Sequence, residues 1–421
     1  MVKLVGIIMN DIFSAALNIT APWFIEDVIF DPDKGRLDIN INFKRGSKFY
    51  YSNSAELIDG DFSVHDTVNK TWRHLNFFEH DCFLNCRVPR VKTDCGKVRL
   101  IKAPWEGASL GFTLLFEALL MQLIKAMPIN AVARIAGVDD EKLWRMVHKY
   151  IELARVHEDF SMVTQIGVDE TSKKKRQDYV TVFVDLKKRK TMFVTEGRDN
   201  KTVIEFCKDL KEHNGDPEAI TDVSSDMSPA FIKGVKENLP NAKITFDKFH
   251  IMQIITNALG DVRREEAKVN PLLKGTKGIF DSNRENLTVK RLTKLENELE
   301  LTKLNLKTVR AYHIRESFQA IYNAGTKEEF EMLLEKWYSW ARRCRLEPMK
   351  KAALTIKNHW EGIVNWFDSK INNGILEGLN SLIQSSKSKA RGYSTFKNYK
   401  SIIYIVTGDL DFTKVNKHCK V

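Results

Sequence analysis

Apolar and polar residues alternate with a period of two in the segment that follows residue 22. Residues 24–43 contain two such runs on either side of the turn signal DPDKG, and this pattern predicts a β-hairpin. Residues 72–101 continue with further short runs of this kind, interspersed with basic side chains. We therefore predict that residues 22–100 form short β-strands and irregular connections.

The spacing of apolar residues becomes helical after residue 111. Residues 112–127 keep this spacing without any turn residue, which predicts a helix. Pro128 suits the first turn of a short helix, and Gly137 suits its end. Asp139 or Asp140 then suits the N-cap of the next helix. The pattern predicts two helices joined by a turn that contains glycine.

The second of these helices is amphipathic. Its apolar face would contain Leu143, Val147 and Tyr150. Another face carries three cations at spacings of three and four, namely Lys142, Arg145 and Lys149. Because a DNA-binding helix-turn-helix has this form, we favour contact between these cations and DNA. The alternative is a helical hairpin that only packs against its neighbours.

Residues 160–250 alternate between short apolar runs typical of strands and amphipathic runs typical of helices. The order βββαβαβ predicts three strands that form a meander, followed by two strands that join in parallel. This is the core order of a ribonuclease-H-like fold, in which the first and fourth strands are neighbours.

Residues 255–370 are almost wholly helical in character, with many charges and few glycines. Their tryptophans favour packing in a helical core, with base stacking as the alternative: Trp337, Trp340, Trp360 and Trp366. Residues 372–406 return to a helix, a basic loop and a second helix. The cations of that region are further candidates for DNA binding: Lys387, Lys389 and Arg391.

The composition of the chain indicates what kind of partner it could bind. The 421 residues include 66 Lys and Arg against 55 Asp and Glu, a net charge of +11. A basic excess favours a nucleic acid through counterion release, although a merely basic surface explains it equally well. Six dispersed cysteines are typical of a reduced, cytoplasmic protein, and no segment resembles a secretory signal or a membrane span.

Two aspartates lie where the predicted sheet would bring them together. Asp169 lies in the first strand and Asp226 ends the fourth, so neighbouring strands would place them face to face. Glu170 competes with Asp169, but strand alternation directs it to the opposite face. Asp222 competes with Asp226, but it lies deeper in its strand. An aspartate at a strand end is usually a turn residue, so this inference depends on the topology.

A helix through residues 374–387 would carry a polar stripe beside an apolar one. The apolar stripe contains Ile375, Leu376, Leu379, Leu382 and Ile383. The polar stripe contains Glu377, Asn380, Gln384 and Lys387. Packed on the sheet by its apolar stripe, this helix could hold Glu377 beside the two aspartates, although an isolated glutamate is usually solvated.

Carboxylates collected in this way suit phosphodiester chemistry. Cleavage and transfer of a DNA strand use two divalent ions, one to activate the nucleophile and one to stabilise the leaving oxygen. Oxygen donors suit Mg²⁺. Asp247 and His250 follow the fifth strand at a spacing of three, where they could bind a metal or a phosphate or support neighbouring ligands, and we favour support.

Several long strings, in the same order, resemble the bacterial insertion-sequence transposases of the ISL3 family. They include IGVDETS, VSSDMSPAFIKGVKENLPNAKITFDKFHIM and GILEGLNSLIQ, with DIFSAALNITAPWFIEDVIFD and GFTLLFEALL nearer the N-terminus. The resemblance implies that Asp169, Asp226 and Glu377 are the catalytic residues and bind two ions of Mg²⁺ or Mn²⁺. It also implies an Asp-x-x-His element at Asp247 and His250. We expect Asn380, on the stripe of Glu377, to support the site.

The resemblance also implies a multidomain α+β and α/β organisation. Residues 1–105 would form a β-rich, degenerate zinc-ribbon-like region that binds DNA, and residues 106–158 the helix-turn-helix. Residues 159–255 and 370–421 would form the ribonuclease-H-like catalytic core, the second part with the catalytic glutamate and C-terminal helices. Residues 256–369 would be an all-helical insertion.

Zinc is doubtful in this chain. Relatives commonly carry two cysteine pairs, but here Tyr51 and Ser54 stand at the ligand positions of the first pair. Of the second pair only Cys95 remains, with Thr93 at the other position. Tetrahedral zinc needs four Cys or His ligands. Another set is conceivable from His80, Cys82, Cys86 and Cys95, but a spacing of four along a strand separates two of these cysteines by roughly 13 Å.

The leading hypothesis is an active DNA transposase. It would bind the terminal inverted repeats of its element, hydrolyse the DNA at the element ends and join the 3′-hydroxyls to target DNA. We expect it in the bacterial cytoplasm with the nucleoid, as a homodimer or higher oligomer on DNA. One alternative is a catalytically decayed or co-opted sequence-specific DNA-binding protein, which would often have lost a carboxylate. Another is a ribonuclease-H-like nuclease that cuts without joining.

Overall fold

The computed structural model describes residues 10–109, 111–174, 178–280, 288–289, 293, 306–370 and 374–420. The chain divides into two compact units. Unit 1 comprises Met1–Glu158, Ser386–Val406 and Leu410–Val421. Unit 2 comprises Asp159–Ser385 and Thr407–Asp409. The C-terminal residues are thus shared between the units, whereas the sequence analysis assigned residues 370–421 to one domain.

A six-stranded sheet forms the N-terminal part of unit 1. Its strands are β1 (Trp23–Asp31), β2 (Arg36–Phe43), β3 (Lys48–Asn53), β4 (Ile58–Phe77), β5 (His80–Lys92) and β6 (Val98–Leu100). The order is β1-β2-β5-β4-β3, with β6 paired to β5. The predicted hairpin is confirmed, since β1 and β2 pair from Trp23 with Phe43 to Asp31 with Arg36.

The prediction of short strands is wrong for β4 and β5. They pair antiparallel from Val64 with Val91 to Phe77 with His80. Shifts in register near both ends of this ladder, of the kind that bulges produce, let the long pair bend while the pairing continues. Alternate residues of β5 are buried in the core of the sheet, including Cys82, Leu84 and Cys86.

Three helices of unit 1 follow the sheet: α1 (Leu114–Ala126), α2 (Ile129–Ala136) and α3 (Asp140–Arg155). Gly137 ends α2 with φ +63°, a conformation that glycine adopts without strain. Asp139 caps α3, because its side chain accepts the backbone N–H of Glu141 at 2.8 Å. Pro128 precedes α2 instead of lying in its first turn. The predicted apolar face of α3 is confirmed, with Leu143, Val147 and Tyr150 fully buried.

Unit 2 contains a five-stranded sheet. Its strands are β7 (Gln165–Lys174), β8 (Asp178–Asp185), β9 (Lys190–Glu196), β10 (Asp222–Ser225) and β11 (Lys243–Phe246). The helices α4 (Asn200–Glu212) and α5 (Pro229–Asn238) precede and follow β10. The order β11-β10-β7-β8-β9 confirms that the first and fourth strands of this sheet are neighbours. β7, β8 and β9 are antiparallel, whereas β10 runs parallel to β7 and β11.

The predicted helical segment of unit 2 contains α6 (Lys248–Glu266), α7 (Lys277–Phe280), α8 (Lys307–Ile321), α9 (Lys327–Arg343), α10 (Glu347–Asn358) and α11 (Trp360–Ser369). They share one hydrophobic core with the sheet. Trp337 is buried and donates its indole N–H to the Ile314 carbonyl at 2.8 Å, as core packing predicts. Trp360 and Trp366 pack partly buried against this core, but Trp340 is 44% exposed.

A helix, a basic loop and a second helix follow, as predicted for residues 372–406: α12 (Gly374–Lys389) and α13 (Phe396–Thr407). The predicted apolar stripe of α12 is partly wrong. Leu376 and Ile383 are buried, but Leu382 is 53% exposed. In the ranges that the structure describes, no helix combines the length and apolarity needed to cross a membrane.

Candidate active site

Three aspartates lie at one edge of the sheet in unit 2. β7 and β10 pair in parallel with an offset of 57 residues (222 − 165). Continued by two residues, this register places Asp226 level with Asp169. β10 and β11 pair with an offset of 21 residues (243 − 222), which places Asp247 level with Asp226. Neighbouring strands lie about 4.8 Å apart, so the three aspartates lie side by side where the parallel strands end.

The charges of these residues interact. Burial raises the pKa of Asp169 to about 6. The N–H of Glu170 and the nearby His250 act in the opposite direction, whereas the negative charges of Asp226 and Asp247 raise this pKa further. A carboxyl group in such a position gains most from a bound cation, because the cation offsets both the burial and the like charges.

Two of the aspartates are oriented by the helices that follow their strands. Asp226 accepts the N–H of Ser228 at 3.0 Å, directly before α5. Asp247 is the N-cap of α6 and accepts the N–H of Phe249 at 2.9 Å. His250 lies in the first turn of α6, with Nε2 3.8 Å from an oxygen of Asp247. The first turns of two helices thus fix the orientation of these carboxyl groups.

Helix α12 lies along β7 through three matched contacts. Leu376 packs against Gly167, Asn380 donates a hydrogen bond to Asp169, and Gln384 donates one to Thr171 at 2.6 Å. The strand residues are two apart and the helix residues are four apart. These steps measure about 6.7 Å and 6 Å, so strand and helix keep in register.

The first contact requires glycine on the strand. A Cβ atom at Gly167 would lie 2.7 Å from Leu376 Cδ2 and 3.0 Å from Leu186 Cδ2. The missing side chain therefore lets the helix approach β7 closely.

The face of α12 that meets the sheet is more polar than the sequence predicted. Asn380 and Gln384 point to β7 because Asp169 and Thr171 offer them hydrogen-bond acceptors. Glu377 precedes Asn380 by three residues, about one helical turn, and is exposed. Within the described residues it makes no hydrogen bond or ion pair. Asn380 is a predicted support, whereas the contact of Gln384 with the sheet is not predicted from its place on the polar stripe.

The competing carboxylates lie in different surroundings. Burial raises the pKa of Glu170 to about 7, the charges of Asp226 and Asp169 raise it further, and Arg198 lowers it. Glu170 thus shares the electrostatic field of the aspartates. Asp222 begins β10 at the opposite edge of the sheet, where it accepts hydrogen bonds from Gln165 at 3.2 Å and Thr221 at 2.7 Å.

The donor chemistry of the aspartate edge fits a divalent cation. Asp169 and Asp226 offer the hard oxygen ligands that Mg²⁺ and Mn²⁺ prefer. Among the described residues, however, no three His, Cys, Asp or Glu side chains are arranged to hold one ion. Glu377 is thus not brought together with the two aspartates in such a group within these residues.

The cysteines of unit 1 have a different environment. Cys82 and Cys86 are buried in the core of the six-stranded sheet, and burial raises their pKa to about 11 and about 12. Cys95 is exposed in the turn between β5 and β6, where its sulfur lies 3.1 Å from the Thr93 hydroxyl. Zinc binds the thiolate form, which burial disfavours at two of these positions.

The cations of α3 lie opposite its buried face. Lys142 and Arg145 are exposed, and Lys149 forms an ion pair with Glu152 at 3.4 Å. Lys389 and Arg391 are exposed at the end of α12 and in the loop after it, a part of the chain that belongs to unit 1. Arg134 is also exposed, on α2, and its only signal in the sequence is a cation in the short helix before the turn.

Comparisons with known proteins give two family matches. A profile described as "Transposase" matches residues 166–403, and one described as "Helix-turn-helix domain of transposase family ISL3" matches residues 102–151. The chain is 27% identical over 359 residues to "Transposase for insertion sequence element IS1557" of Mycobacterium tuberculosis, covering 77% of this chain and 78% of the relative. It is 26% identical over 346 residues to "Transposase for insertion sequence element IS1001" of Bordetella parapertussis, covering 78% and 82%.

Proposed function

The chain belongs to the ISL3 family of transposases, with a helix-turn-helix region and a DDE region, and on this basis we propose that it binds the terminal inverted repeats of an insertion sequence, cleaves the DNA at the element ends and joins the 3′-hydroxyls to target DNA. The observation that carries the proposal is the level position of Asp169 and Asp226 at the carboxyl edge of the sheet in unit 2. Glu377 joins them from α12.

The catalytic core is ribonuclease-H-like in this proposal. Three antiparallel strands and two parallel strands in the order β9-β8-β7-β10-β11 support it. Ligand sites in sheets with parallel strands lie outside the carboxyl ends of those strands. The aspartate edge is such a position.

Asp169, Asp226 and Glu377 would hold two divalent ions, Mg²⁺ or Mn²⁺. Such ions, when bound, activate the attacking water or 3′-hydroxyl and stabilise the leaving oxygen. The donors of this chain fit them by charge and by ligand type. The like charges and burial that raise the pKa of Asp169 support the same assignment, because both effects favour a cation at this position.

The other polar residues position the ligands. Asn380 donates to one oxygen of Asp169 and limits the rotation of that carboxyl group. Ser228 holds Asp226 through its N–H in the same way. Asp247 and His250 carry opposite charges when His250 is protonated, and they adjust the field at Asp169. They support the site without being its main ligands.

The primary test is DNA cleavage by the purified chain on duplexes with the matched inverted repeats that flank the gene. Mg²⁺- or Mn²⁺-dependent cleavage at the repeat ends, followed by joining of pre-cut ends to a second duplex, is expected. Cleavage without joining would instead identify a nuclease. Binding of the repeats without cleavage under any of these conditions would identify a decayed or co-opted DNA-binding protein.

DNA binding is assigned to α3. Replacing Lys142, Arg145 and Lys149 by alanine should weaken binding to the repeat ends and reduce its salt dependence by about one unit of slope for each phosphate that is no longer neutralised. A gel-shift titration at several salt concentrations measures both. Unchanged binding would exclude this helix as the reader. The protein is expected to act as a homodimer or higher oligomer on the two ends.

A further inference from the structure

A groove in unit 1 joins the helix-turn-helix to the loop between α12 and α13. Its volume is about 630 Å³. One wall comes from α2 and the first turns of α3, and the other comes from residues 389–394. Trp144 and Tyr393, which both line it, are separated by 249 positions in sequence (393 − 144).

Specific contacts hold the loop against α3. The ring of Tyr393 meets that of Trp144 edge to face at 6.3 Å, and it stacks on Tyr399 at 5.5 Å. His148 Nε2 lies 3.2 Å from Asn398 Oδ1. These contacts use the loop itself and the first turn of α13, so the loop has a defined position relative to α3.

The backbone of the loop is also constrained. The N–H of Gly392 donates to the carbonyl of Lys387 at 2.9 Å and ends α12. Gly392 has φ +97° and Arg391 has φ +57°. A left-handed arginine is uncommon, and Arg391 has this conformation at a position that lines the groove.

The groove is positively charged. Arg134, Lys389 and Arg391 line it and are exposed. In the part of the chain that the structure describes, none of the three has a carboxylate within ion-pair distance. Asp140 is the only acid among the described residues that line the groove. Three cations without acidic partners in these ranges favour a polyanionic ligand.

The groove lies beside the cation face of α3. Successive residues of a helix are about 100° apart, so Trp144 on the groove side is adjacent to Arg145 on the cation face. The aromatic rings contact one another, which leaves the cations as the main groups for a ligand. We propose that this groove binds the sugar–phosphate backbone of duplex DNA next to the segment that α3 reads. The inference rests on the proposed DNA-binding function and extends it to the C-terminal loop.

The test compares two triple variants by fluorescence anisotropy, on a repeat-end duplex and on a duplex of unrelated sequence. The groove variant is Arg134→Ala, Lys389→Ala and Arg391→Gly, where glycine suits the positive φ of residue 391. The control is Lys208→Ala, Lys236→Ala and Lys351→Ala, which removes the same charge from exposed helical positions of unit 2.

The groove variant should lose about 2 to 3 units of slope in the plot of log affinity against log salt, on both duplexes, since phosphate contacts carry no sequence information. Its affinity near physiological salt should fall at least about tenfold. The control should keep the wild-type slope. If the triple variant does not fold, Lys389→Gln alone should lose about one unit.

Equal slopes for the groove variant, the control and the wild type would overturn the inference even if the wild type prefers repeat ends. A reduced slope without any preference of the wild type for repeat ends would support the groove and overturn the proposed end recognition. Failure of the wild type to bind either duplex would overturn both.

Discussion

The two sheets of this protein place their candidate metal ligands in different environments. In unit 1, Cys82 and Cys86 lie within β5, four residues apart, and face an apolar core. In unit 2, Asp169 and Asp226 lie 57 positions apart in sequence (226 − 169) but level with one another at the edge of the sheet. Two residues four apart on one strand lie roughly 13 Å from each other. Parallel pairing of two strands, in contrast, brings residues that are far apart in sequence side by side.

Burial acts on the two thiols and on Asp169, with different chemical results. It raises the pKa of the Cys82 and Cys86 thiols to about 11 and about 12, so they remain neutral core residues. It raises the pKa of Asp169 to about 6, which still leaves the carboxylate available near neutral pH. Burial acts in the same direction in each case, so the lower ordinary pKa of a carboxyl group, 3.8 against 9.0 for a thiol, decides which side chains are suited to a cation.

The largest expected effect concerns the carboxylates. Glu377→Gln, Asp169→Asn and Asp226→Asn each remove one negative ligand while keeping the shape of the side chain. Each should lower metal-dependent cleavage by about 10³-fold or more and leave binding to repeat ends nearly unchanged. Single-turnover cleavage and gel shifts measure the two effects.

Asp222→Asn is the matched control, because Asp222 lies at the opposite edge of the same sheet. It should be much milder than the three ligand variants, and so should Glu170→Gln. If Glu377→Gln retained near-normal cleavage while either of these neighbours abolished it, the assignment of the third ligand would be wrong.

A smaller effect is expected at the residue that holds Asp169. Asn380→Ala removes its hydrogen bond and should reduce cleavage by about 10- to 100-fold, with a matching decrease in Mn²⁺ affinity. Asn380→Asp would add a negative charge, so it should bind Mn²⁺ differently from the alanine variant. A change in melting temperature alone, with normal Mn²⁺ affinity, would reduce Asn380 to a structural role.

The close contact between β7 and α12 offers a third test. Gly167→Ala should destabilise unit 2 by about 1–3 kcal/mol and lower cleavage, since its Cβ would lie 2.7 Å from Leu376 Cδ2. Adding Leu376→Ala should recover part of the activity, because it removes the atom in the way. Chemical denaturation and cleavage assays report both. Full activity in Gly167→Ala would show that cleavage does not depend on the close approach of α12 to β7.

The raised pKa of Asp169 also predicts that the stability of the metal-free protein depends on pH. The pKa of Asp169 is about 6 in the folded protein against an ordinary value of 3.8. At pH values between these two, the folded state binds more protons at this group than the unfolded state does. The group therefore stabilises the fold below about pH 4, and this stabilisation is lost as the pH rises to about 6. Saturating Mg²⁺ should oppose the loss.

Thermal melts of the metal-free protein between about pH 4 and pH 7 measure this effect, and Asp169→Asn should flatten the decline. Glu170, with a pKa of about 7, should produce a similar decline at slightly higher pH. The same profile in the wild type and in Asp169→Asn would contradict the raised pKa.

The smallest effect is expected at the cysteines. The purified protein should carry less than one zinc per chain, and EDTA should not shift the melting of unit 1. Cys82→Ala should lower stability by about 1–2 kcal/mol through poorer packing, with or without zinc in the buffer. Stoichiometric zinc by elemental analysis would contradict this prediction and would show that the protein holds a zinc site.

Much of the fold could be predicted because local patterns specify it. The turn signal between β1 and β2, the cap at Asp139 and the glycine at the end of α2 each act over a few residues. The order of the five strands in unit 2 followed from their sequence and from the rules of strand connection. The level position of Asp169 and Asp226 followed from that order.

The sequence by itself thus determined most of the elements, the order of the strands in unit 2 and the residues that the catalytic proposal uses. Only the tertiary structure decided that Asn380 and Gln384 face the sheet, where their partners Asp169 and Thr171 lie 211 and 213 positions away in sequence. It also decided that Cys82 and Cys86 lie in a hydrophobic core. It also decided that the loop after α12 lies against α3. Such contacts depend on which surfaces meet after collapse. A hydrogen-bond acceptor on a distant strand can then bury a polar face that periodicity alone assigns to solvent.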